Sequence, residues 1–398
     1  MRVVITGAGT INPLGADVPS TLRAMAAGQC AVTSLAIRDQ RRLSVQIAAS
    51  VADFDPSAHF PPERQRLLDR FSQFALVAAR QAVQQSGLQL TGRLAAQTGA
   101  IIGSAAGGLS TSDDNFRAVY EERKSRVHPF TVPRLMGNAA ASQISIDFGL
   151  QGPTFAVASA CASSNHAIGL AFQMVRAGVA PVMLAGGAEA MLTLGGLKAW
   201  EGLRVLAPVA CRPFSLDRTG MVLGEGAGVF VLEARDHATA RGAPILAEIA
   251  GFAMSADGAH MVLPSAIGAE RAMRAAIDDA TLAPGSVGYI NAHGTGTQAN
   301  DFAESAAIAA IFGRRAAVSS TKGAHGHLIG ASGAVELLAC LLALNEGILA
   351  PTVGWRMPDP NCPIDIVAGT ARRAVVTSCL SNAFAFGGLN AVLALVNP

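Results

Sequence analysis

Two successive sets of short apolar runs, alternating with helix-like stretches, constrain the fold of this 398-residue chain most strongly. Buried strands of α/β proteins have this continuous apolar character. Five runs precede Arg241 and five follow it: RVVITG, TGAIIGS, TFAVAS, PVMLAGG and GAGVFVLE, then ILAEIAG, VGYINA, AAVSST, VVTSCLSNAF and NAVLALV. The pattern indicates a duplicated α/β unit, although no letter-for-letter repeat accompanies it. We therefore predict two halves, residues 1–241 and residues 242–398.

Helix-like stretches lie between the runs, and several of them end at glycine or proline. They are residues 63–86, 163–177, 269–280, 302–312 and 333–346. The longest apolar stretch, residues 335–344, is much shorter than the about 20 residues that a membrane-spanning helix needs. We therefore expect a buried helix there and no transmembrane segment.

Composition narrows the class of protein further. The chain is 51% hydrophobic and 15% charged, with 42 glycines, which fits a large buried core and excludes disorder. A net charge of +2 lacks the basic character of a nucleic-acid-binding protein. Six scattered cysteines form neither a disulfide framework nor a zinc pattern, so we expect reduced thiols. The N-terminus reads as a strand and not as a signal peptide. A cytoplasmic protein is the resulting expectation.

A cysteine follows the third apolar run, in the segment VASACASSNHAIG. The run gives way to small residues and then to a helix-like stretch, so Cys161 is predicted at a helix N-terminus. First-turn N–H groups and the positive end of the helix dipole stabilise an anion there, which lowers the pKa of a thiol. Cys161 is therefore a candidate sulfur nucleophile, although most cysteines are small core residues.

Two glycine-rich segments of the second half supply the histidines with which a cysteine nucleophile works. NAHGTGT carries His293, and SSTKGAHGHLIGASGAVE carries Lys322, His325, His327 and Glu336. Each segment follows a strand-like run, and strand-end loops are where α/β proteins hold their reactive groups. One loop histidine is commonly structural, whereas a cysteine accompanied by two of them favours a catalytic site.

These segments, with RPFSLDRTGMVLGEGAG and SNAFAFGGLN, resemble those of the β-ketoacyl-[acyl-carrier-protein] synthases of the type II elongating class. The resemblance runs from MRVVITGAG to the last strand. Within the class, WEGLRVLAPVACRPFS and SNAFAFGGLNAVLAL resemble the nodulation-protein-E type of specialised synthase. The resemblance implies a thiolase-like α/β fold, with two duplicated five-stranded mixed sheets layered with helices. It also implies a site between the halves, with Cys161 from the first and His293 and His327 from the second.

The implied activity is that of an acyltransferase: decarboxylative Claisen condensation of an acyl thioester with malonyl-[acyl-carrier-protein]. The product is a 3-oxoacyl-[acyl-carrier-protein], which elongates a fatty acyl or polyketide (polyene) chain. Cys161 would carry the acyl group. The Nε2–H groups of His293 and His327 would donate hydrogen bonds to the enolate oxygen. Lys322 and Glu336 would support the two histidines.

The segment SNAFAFGGLN is expected to form a glycine-containing loop over the thiol. By resemblance, the N–H of Phe386 joins that of Cys161 as an oxyanion hole, and the Phe386 ring gates the acyl pocket. Ala385 stands where the family commonly has glycine, and Leu389 where it has threonine. The added Cβ restricts the backbone, so we expect a stiffer gate.

The resemblance also implies substrate-binding residues, namely Thr295, Thr297, Ala106, Thr131 and Phe384. The hydroxyls of Thr295 and Thr297 would bind the pantetheine arm. Ala106 stands where a bulkier aliphatic residue is common in the acyl tunnel, and Thr131 where a phenylalanine enters from a partner subunit. These smaller residues predict a pocket for a longer, stiffer or unsaturated acyl chain.

An acyl carrier protein is the implied partner, because its phosphopantetheine carries the substrates; no other cofactor and no metal are expected. A homodimer is implied, or a heterodimer with a homologous chain-length subunit. Two basic clusters are candidates for docking the acidic carrier, although Glu63 and Leu67 stand where basic residues are expected. The clusters are Arg64, Arg66 and Arg70, and Arg123, Lys124 and Arg126. His325 and His166 are expected not to be catalytic.

Three other functions fit less well. An NAD-dependent oxidoreductase could use ITGAGT, but Asn12 replaces the third fingerprint glycine and no suitable acidic residue follows about 20 positions on. A thiolase needs a second working cysteine, and the only candidate, Cys379, precedes SNAFAFGG. A non-catalytic chain-length subunit usually lacks the nucleophile that Cys161 provides. An active (KSα-type) subunit of a heterodimeric type II polyketide system stays open as an alternative.

Overall fold

The central feature of the computed structural model, which describes residues 1–398, is one eleven-stranded mixed sheet. Its strand order is β12-β10-β9-β14-β15-β8-β1-β7-β6-β4-β5. Two small ribbons, β2-β3 and β11-β13, lie outside it. The strands are β1 Val3–Ile11, β2 Thr33–Ser34, β3 Ile47–Ala48, β4 Gly99–Gly103, β5 Thr154–Val157, β6 Val182–Glu189, β7 Gly226–Ala234, β8 Ala247–Ala256, β9 Tyr289–Asn291, β10 Ala317–Ser319, β11 Ile348–Leu349, β12 Asp365–Ile366, β13 Arg372–Arg373, β14 Ser378–Ala385 and β15 Leu389–Val396.

Helices cover both faces of this sheet. The α-helices are α1 Val18–Ala26, α2 Pro62–Gln65, α3 Arg70–Ser86, α4 Gly92–Gln97, α5 Leu109–Tyr120, α6 Thr131–Leu135, α7 Ala139–Phe148, α8 Ser163–Arg176, α9 Leu194–Gly202, α10 Arg235–Ala240, α11 Ala266–Asp279, α12 Gln298–Phe312, α13 Lys322–His325 and α14 Ser332–Glu346. Single 3-10 turns occupy Gln40–Arg42, Pro56–Ala58, Pro284–Ser286 and Ile329–Ala331.

The sheet consists of two sets of five strands with the same internal order. Among the five strands of each set, the third is farthest from the join between the sets, followed inwards by the second, fourth, fifth and first. In each set the second strand is parallel to the third and fourth, and the fifth is antiparallel to its neighbours. All ten predicted strands are present, so the prediction of two duplicated five-stranded sheets is confirmed. The two sets join edge to edge, because β1 pairs with β8, and β12 extends the second set.

Two buried helices occupy equivalent places in the two sets. After the third strand of each set, the chain enters the helix that packs at the centre of the molecule: α8 follows β5, and α14 follows β10 and α13. Each packs on strands of its own set and on strands of the other, and the two helices contact each other. The largest hydrophobic cluster, of 55 buried residues, surrounds them. The loops that lead into α8 and α14 are therefore brought together.

The glycines of ITGAG in β1 have a packing role. A Cβ at Gly7 would lie 2.1 Å from the carbonyl oxygen of Ala82, and one at Gly9 would lie 1.9 Å from that of Ala78. These carbonyls belong to α3, which packs directly on β1. Glycine at both positions lets the helix approach the strand closely, and this explains a motif that otherwise resembles part of a dinucleotide-binding turn.

One predicted helix is divided in two in the structure, and the longest apolar stretch has the buried place expected for it. The stretch 63–86 is broken into α2 and α3, because Asp69 adopts an extended backbone and caps α3 by accepting the N–H of Phe71. The apolar segment Ile329–Glu346 has the length and composition of a membrane span, but 89% of it is buried inside the protein. It is a core helix with its preceding turn, as predicted for residues 335–344.

Candidate active site

A tight turn between β5 and α8 presents the thiol. Ala160 has a φ of +49°, which is rare for a residue with a Cβ. The hydroxyl of Ser163 braces this turn, since it donates to the carbonyl of Ala160 over 2.7 Å and accepts the N–H of Ser159 over 2.9 Å. Cys161 follows, two residues before the first residue of α8, and is buried. The structure therefore confirms that Cys161 lies at a helix N-terminus.

The predicted ionisation of this thiol is wrong. Burial raises the pKa of Cys161 to about 12, and this effect outweighs the opposing influence of the Lys322 charge and of a hydrogen bond from the N–H of Phe386. Burial dominates because a thiolate loses its hydration in the protein interior, whereas a thiol does not. The resting sulfur is therefore a protonated nucleophile, held at the start of a helix that will stabilise negative charge when it develops.

His293 lies in the loop between β9 and α12. Glu304, on the first turns of α12, accepts the N–H groups of His293 and Gly294 over 2.8 and 2.7 Å and so fixes the loop. The imidazole is buried, and burial, the Lys322 charge and His327 together hold its pKa well below the ordinary value. His293 is therefore neutral at physiological pH. The role of Glu304 was missed in the sequence. A carboxylate on the helix that directly follows the histidine loop is the signal that could have identified it.

His327 follows α13, at a position equivalent to that of Cys161 in the first half. Its Nδ1 accepts the N–H of Ile329 over 3.1 Å and contacts the hydroxyl of Ser332 at 2.8 Å. Burial, followed by the charge of Lys322, lowers the pKa of His327 well below its usual value. Because Nδ1 accepts a backbone N–H, the proton of this neutral ring is on Nε2. That Nε2 has no hydrogen-bond partner within the protein.

Lys322 and Glu336 form a fully buried ion pair behind the histidines. The ammonium also donates to the carbonyl oxygen of His293 over 2.5 Å and lies 3.3 Å from Nδ1 of the same ring. A donor at Nδ1 places the proton of His293 on Nε2 as well. Burial raises the pKa of Glu336, and the adjacent ammonium acts in the opposite direction. Both rings are thus arranged as Nε2–H donors.

The sulfur and the two imidazoles come together. One side-chain atom from each of Cys161, His293 and His327 lies within 4.8 Å of the others. The two rings are 5.4 Å apart between centroids and nearly perpendicular. All three residues line a cavity of about 190 Å³ that opens to the surface. A thioester carbon beside the sulfur would therefore have two N–H donors near its oxygen, which is an arrangement for acyl transfer and enolate stabilisation.

Three of the predicted substrate-binding residues line the same cavity, namely Thr295, Thr297 and Phe384. The two threonine hydroxyls are 2.9 Å apart, and that of Thr297 also accepts the N–H of Asn300 at the start of α12. They have local partners and still border the space that leads to the thiol. The Phe384 ring packs edge-on against the ring of His293.

Phe386 lies in the three-residue turn between β14 and β15. Its N–H opposes the effect of burial on the pKa of Cys161, and its ring stacks on that of Trp200 at 5.9 Å between centroids. Trp200 was not singled out from the sequence. Ala385 and Leu389 are the last paired residues of this hairpin, so Ala385 has ordinary strand geometry and its Cβ introduces no backbone strain.

Four residues considered from the sequence lie away from the cavity lining. Ala106 donates its N–H to the buried carboxylate of Glu189. Thr131 begins α6, where its hydroxyl donates to the carbonyl of His128. Both nitrogens of His325 contact local partners, and His166 contacts Ser159.

Two sets of atoms have the chemistry of metal ligands. The sulfur and imidazole nitrogens of the cavity form a soft set of the kind that zinc prefers. Behind them, Asn291 and Ser381 occupy paired positions of β9 and β14, and their side-chain oxygens lack hydrogen-bond partners, as do oxygens of Glu336 and Asn382. These are hard oxygen ligands of the type that alkali and alkaline-earth cations take.

Comparison with known proteins agrees with this geometry. Residues 1–238 match the model of the beta-ketoacyl synthase N-terminal domain, and residues 246–356 match that of the C-terminal domain. Nodulation protein E of Rhizobium sp. (strain N33) is 47% identical over 396 residues, covering 99% of this chain and 98% of that protein. The 3-oxoacyl-[acyl-carrier-protein] synthase 2 of Staphylococcus aureus (strain MRSA252) is 40% identical over 403 residues, covering 99% and 97%.

A solved structure is similar throughout. The ishigamide ketosynthase/chain length factor superposes with a TM-score of 0.95 and 33% sequence identity, covering 100% of this chain and 99% of the other. The thiolase-like fold predicted from the sequence is thereby confirmed, as is the resemblance on which it was based. The chain belongs to the β-ketoacyl synthase family and is an acyltransferase of the chain-elongating ketosynthase type.

Proposed function

We propose that Cys161 carries the growing acyl chain and that His293 and His327 activate the malonyl extender in the condensation that this ketosynthase catalyses. The observation that carries the proposal is the convergence of the sulfur and the two imidazoles within 4.8 Å in one cavity. The proposal assigns sulfur to the first half of the chain, residues 1–241, and both imidazoles to the second half, residues 242–398.

In the first step, the sulfur of Cys161 attacks the carbonyl carbon of an acyl thioester. The carbonyl oxygen becomes an oxyanion, which the N–H groups of Cys161 and Phe386 would hold. The carbon–sulfur bond to the pantetheine arm then breaks, and the thiol proton of Cys161 ends on the departing sulfur. The N–H of Phe386 already acts as a donor that opposes the effect of burial on the pKa of Cys161, which supports this assignment.

In the second step, a malonyl thioester loses carbon dioxide. The electron pair of the broken carbon–carbon bond forms an enolate, whose oxygen would accept hydrogen bonds from Nε2–H of His293 and of His327. Neutral rings with the proton on Nε2 are required for this role. Lys322 supports that state in two ways, since its charge disfavours imidazolium and its ammonium occupies the Nδ1 side of His293. Glu336 keeps this buried ammonium paired.

In the third step, the enolate carbon attacks the acyl group on Cys161. A new carbon–carbon bond forms, the carbon–sulfur bond breaks, and the sulfur leaves as a thiolate that regains a proton. The helix end of α8 and the N–H of Phe386 favour this leaving group. The product is a 3-oxoacyl thioester, longer by two carbons, on the carrier arm.

An acyl carrier protein delivers both substrates in this proposal, on its phosphopantetheine, and the chain needs no cofactor of its own. The name of the Staphylococcus aureus relative supports the carrier. Thr295 and Thr297 would bind the arm. We further propose that the protein works in the cytoplasm as a dimer, either of identical chains or with a chain-length subunit, as the name of the similar ishigamide structure suggests.

The proposal also covers the length of the acyl chain that the enzyme accepts. Ala106 and Thr131 lie outside the lining of the thiol cavity, so this part of the proposal rests on the resemblance, in which smaller residues at these positions would leave room for a longer, stiffer or unsaturated chain. Condensation rates across carrier thioesters graded in length and unsaturation test this. Equal or better use of short saturated chains would overturn it.

Intact-mass analysis after incubation with an acyl carrier thioester tests the role of the sulfur. The protein should gain one acyl group, Cys161→Ala should gain none, and Cys30→Ala, which changes an exposed cysteine, should behave like the unaltered protein. A gain that persists in Cys161→Ala would refute the assignment.

A second measurement separates acyl transfer from decarboxylation. His327→Ala should load the acyl group but release carbon dioxide from malonyl thioester at least about a hundredfold more slowly. His59→Ala, which changes an exposed histidine, is the matched control. Lost loading with retained decarboxylation would reverse the proposed division of roles.

A further inference from the structure

One buried carboxylate close to the site has no role in the three chemical steps. Glu189, the last residue of β6, is fully buried, and its four hydrogen-bond partners are all neutral donors. Oε1 accepts the hydroxyl of Ser104 over 3.1 Å and the N–H of Ala106 over 3.2 Å. Oε2 accepts the N–H of Ala105 over 2.7 Å and that of Gly330 over 3.1 Å. Burying a carboxylate without a cation costs stability, so its contacts indicate what it is there to hold.

The contact with Gly330 leads to a catalytic histidine. Gly330 is the middle residue of the 3-10 turn Ile329–Ala331, which begins two residues after His327. The N–H of Ile329 donates to Nδ1 of His327, and the hydroxyl of Ser332 lies 2.8 Å from the same nitrogen. Ile329 has a φ of +48°, which is rare for a β-branched residue. Contacts with other elements therefore have to hold the turn in this conformation.

Those contacts come from the other half of the chain. The N–H of Gly330 is accepted by Glu189, and the carbonyl of Gly330 accepts the hydroxyl of Ser164, on the first turn of α8. A Cβ at Gly330 would lie 2.5 Å from Oε2 of Glu189, so glycine is what allows this close approach. Glu189 and Ser164 belong to residues 1–241, whereas His327 belongs to residues 242–398. We call Glu189 and Ser164 the Gly330 clamp.

The contact with Gly330 does not require Glu189 to be charged. Burial raises the pKa of Glu189 to about 7, and the N–H groups and the hydroxyl around it act in the opposite direction. A proton on Oε1 has an acceptor in the hydroxyl oxygen of Ser104, and Oε2 then still accepts the N–H of Gly330. An amide oxygen at the position of Oε2 would do the same. Glu189→Gln is therefore a conservative variant of this contact.

We propose that the Gly330 clamp positions His327 for malonyl decarboxylation, by fixing the turn whose N–H keeps Nδ1 of this ring an acceptor and its Nε2 a donor. This rests on the proposed function, because it concerns His327 as a donor to the enolate oxygen. Glu189 is a positioning residue in this proposal, since it lies outside the lining of the thiol cavity.

The proposal separates His327 from the other reacting groups. His293 is held by Glu304 and Lys322 and has no contact with the clamp. The charge of Glu189 raises the pKa of Cys161, so its loss would not hinder ionisation of the sulfur. Loss of the clamp should therefore slow decarboxylation and leave acyl loading of Cys161 almost unchanged.

Single variants test this separation, with a malonyl group on a bacterial fatty-acid acyl carrier protein as substrate. In Glu189→Ala, kcat for release of carbon dioxide should fall about tenfold or more, because a donor misplaced by about 1 Å can cost about a hundredfold. In Ser164→Ala it should fall about threefold, the loss expected for one neutral hydrogen bond. KM and acyl loading, followed by intact mass, should change less than about threefold. Glu189→Gln should retain at least about half of kcat. Ser104→Ala, which removes a hydroxyl from the same carboxylate without touching Gly330, is the control.

A double-mutant cycle identifies the residue through which the clamp acts. In a His327→Ala background, adding Glu189→Ala should slow decarboxylation further by less than about twofold, because the donor that the clamp positions is already gone. In a His293→Ala background, the same addition should still cost about tenfold or more. A purely structural residue would give the same further loss in both backgrounds.

Three outcomes would overturn the proposal: an equal further loss in the two histidine backgrounds, a loss of acyl loading as large as that of decarboxylation, and an unchanged kcat in Glu189→Ala. If Glu189→Ala does not fold, Ser164→Ala, which deletes only a hydroxyl, is measured in the same two backgrounds. Its effect should then appear with His293→Ala and be absent with His327→Ala, and the reverse would refute the proposal. Unchanged decarboxylation in His327→Ala alone is different, because it would overturn the proposed function itself.

Discussion

Removing the charge of Lys322 is expected to damage both stability and chemistry, and a second substitution separates the two effects. Lys322→Met leaves the carboxylate of Glu336 fully buried without its only partner, and one oxygen of that carboxylate already lacks a hydrogen bond. Breaking a buried pair from one side typically costs about 3–5 kcal/mol. We expect a loss of that size in the free energy of unfolding near neutral pH.

The loss should depend on pH in a defined direction. Burial raises the pKa of Glu336 already in the intact protein, and removing the ammonium removes the effect that opposes it. The folded variant then binds a proton that the unfolded chain releases above the ordinary pKa. Its stability should therefore be highest at acidic pH and fall as pH rises, by at most about 1.4 kcal/mol per pH unit relative to the unaltered protein.

The double variant Lys322→Met/Glu336→Leu removes both charges. Replacing a buried pair by apolar side chains of similar volume is often neutral or stabilising, so most of the lost stability should return. Decarboxylation should not return, because the histidines still lack the charge and the Nδ1 donor that favour the neutral Nε2–H form. We expect it to remain at least about a hundredfold slower.

Denaturant unfolding at fixed protein concentration and release of carbon dioxide from malonyl thioester measure the two quantities. Glu346→Gln, on the same helix α14 but outside the buried network, is the control. Recovery of decarboxylation in the double variant would show that the ion pair is purely structural. A loss below about 1 kcal/mol in the single variant would contradict the burial argument.

Three other outcomes follow from the site. Alkylation of Cys161 by iodoacetamide, followed by intact mass, should accelerate about tenfold per pH unit up to pH of about 9, because the pKa is about 12; a plateau near neutral pH would contradict this. Ala160→Gly should raise the free energy of unfolding by up to about 1 kcal/mol, since it relieves a left-handed backbone; a loss of stability would count against it. Gly388→Ala should lose about 2 kcal/mol or more and slow acylation, because φ is +67° and the new Cβ would lie 2.6 Å from that of Asp257; unchanged melting would refute this.

The strands could be predicted from the sequence because each is a short apolar run. The order of the strands in the sheet could not be predicted. Pairing of β1 with β8 joins residues about 245 positions apart, and no local pattern reports such a contact. The break before α3 was missed for a different reason. Asp69 caps α3 and also accepts the N–H of Thr111, so its conformation depends on a distant partner as well as on the local chain.

The reactive residues of the site could be predicted from the sequence, because their chemistry depends on the type of residue. Cys161, His293 and His327 were found from their motifs, and the structure brings them together. The ionisation of Cys161 was predicted in the wrong direction, because a helix end is a local feature whereas burial comes from the whole fold. The proton positions on the imidazoles depend on Ile329 and Lys322, which only coordinates reveal as neighbours.

The seam between the two strand sets determines which part of the enzyme is able to move. Val3 to Ile5 of β1 pair with residues of β8, and these strands are buried on both sides of the seam. Hinge opening between the halves would break this ladder and expose the core, so the halves form one rigid frame. At the cavity mouth, the loop that carries Phe386 is tied to its neighbour, because the N–H of Gly387 meets the carbonyl of Met261. Because the cavity is lined from both halves, this frame holds the sulfur and the two imidazoles at a fixed spacing.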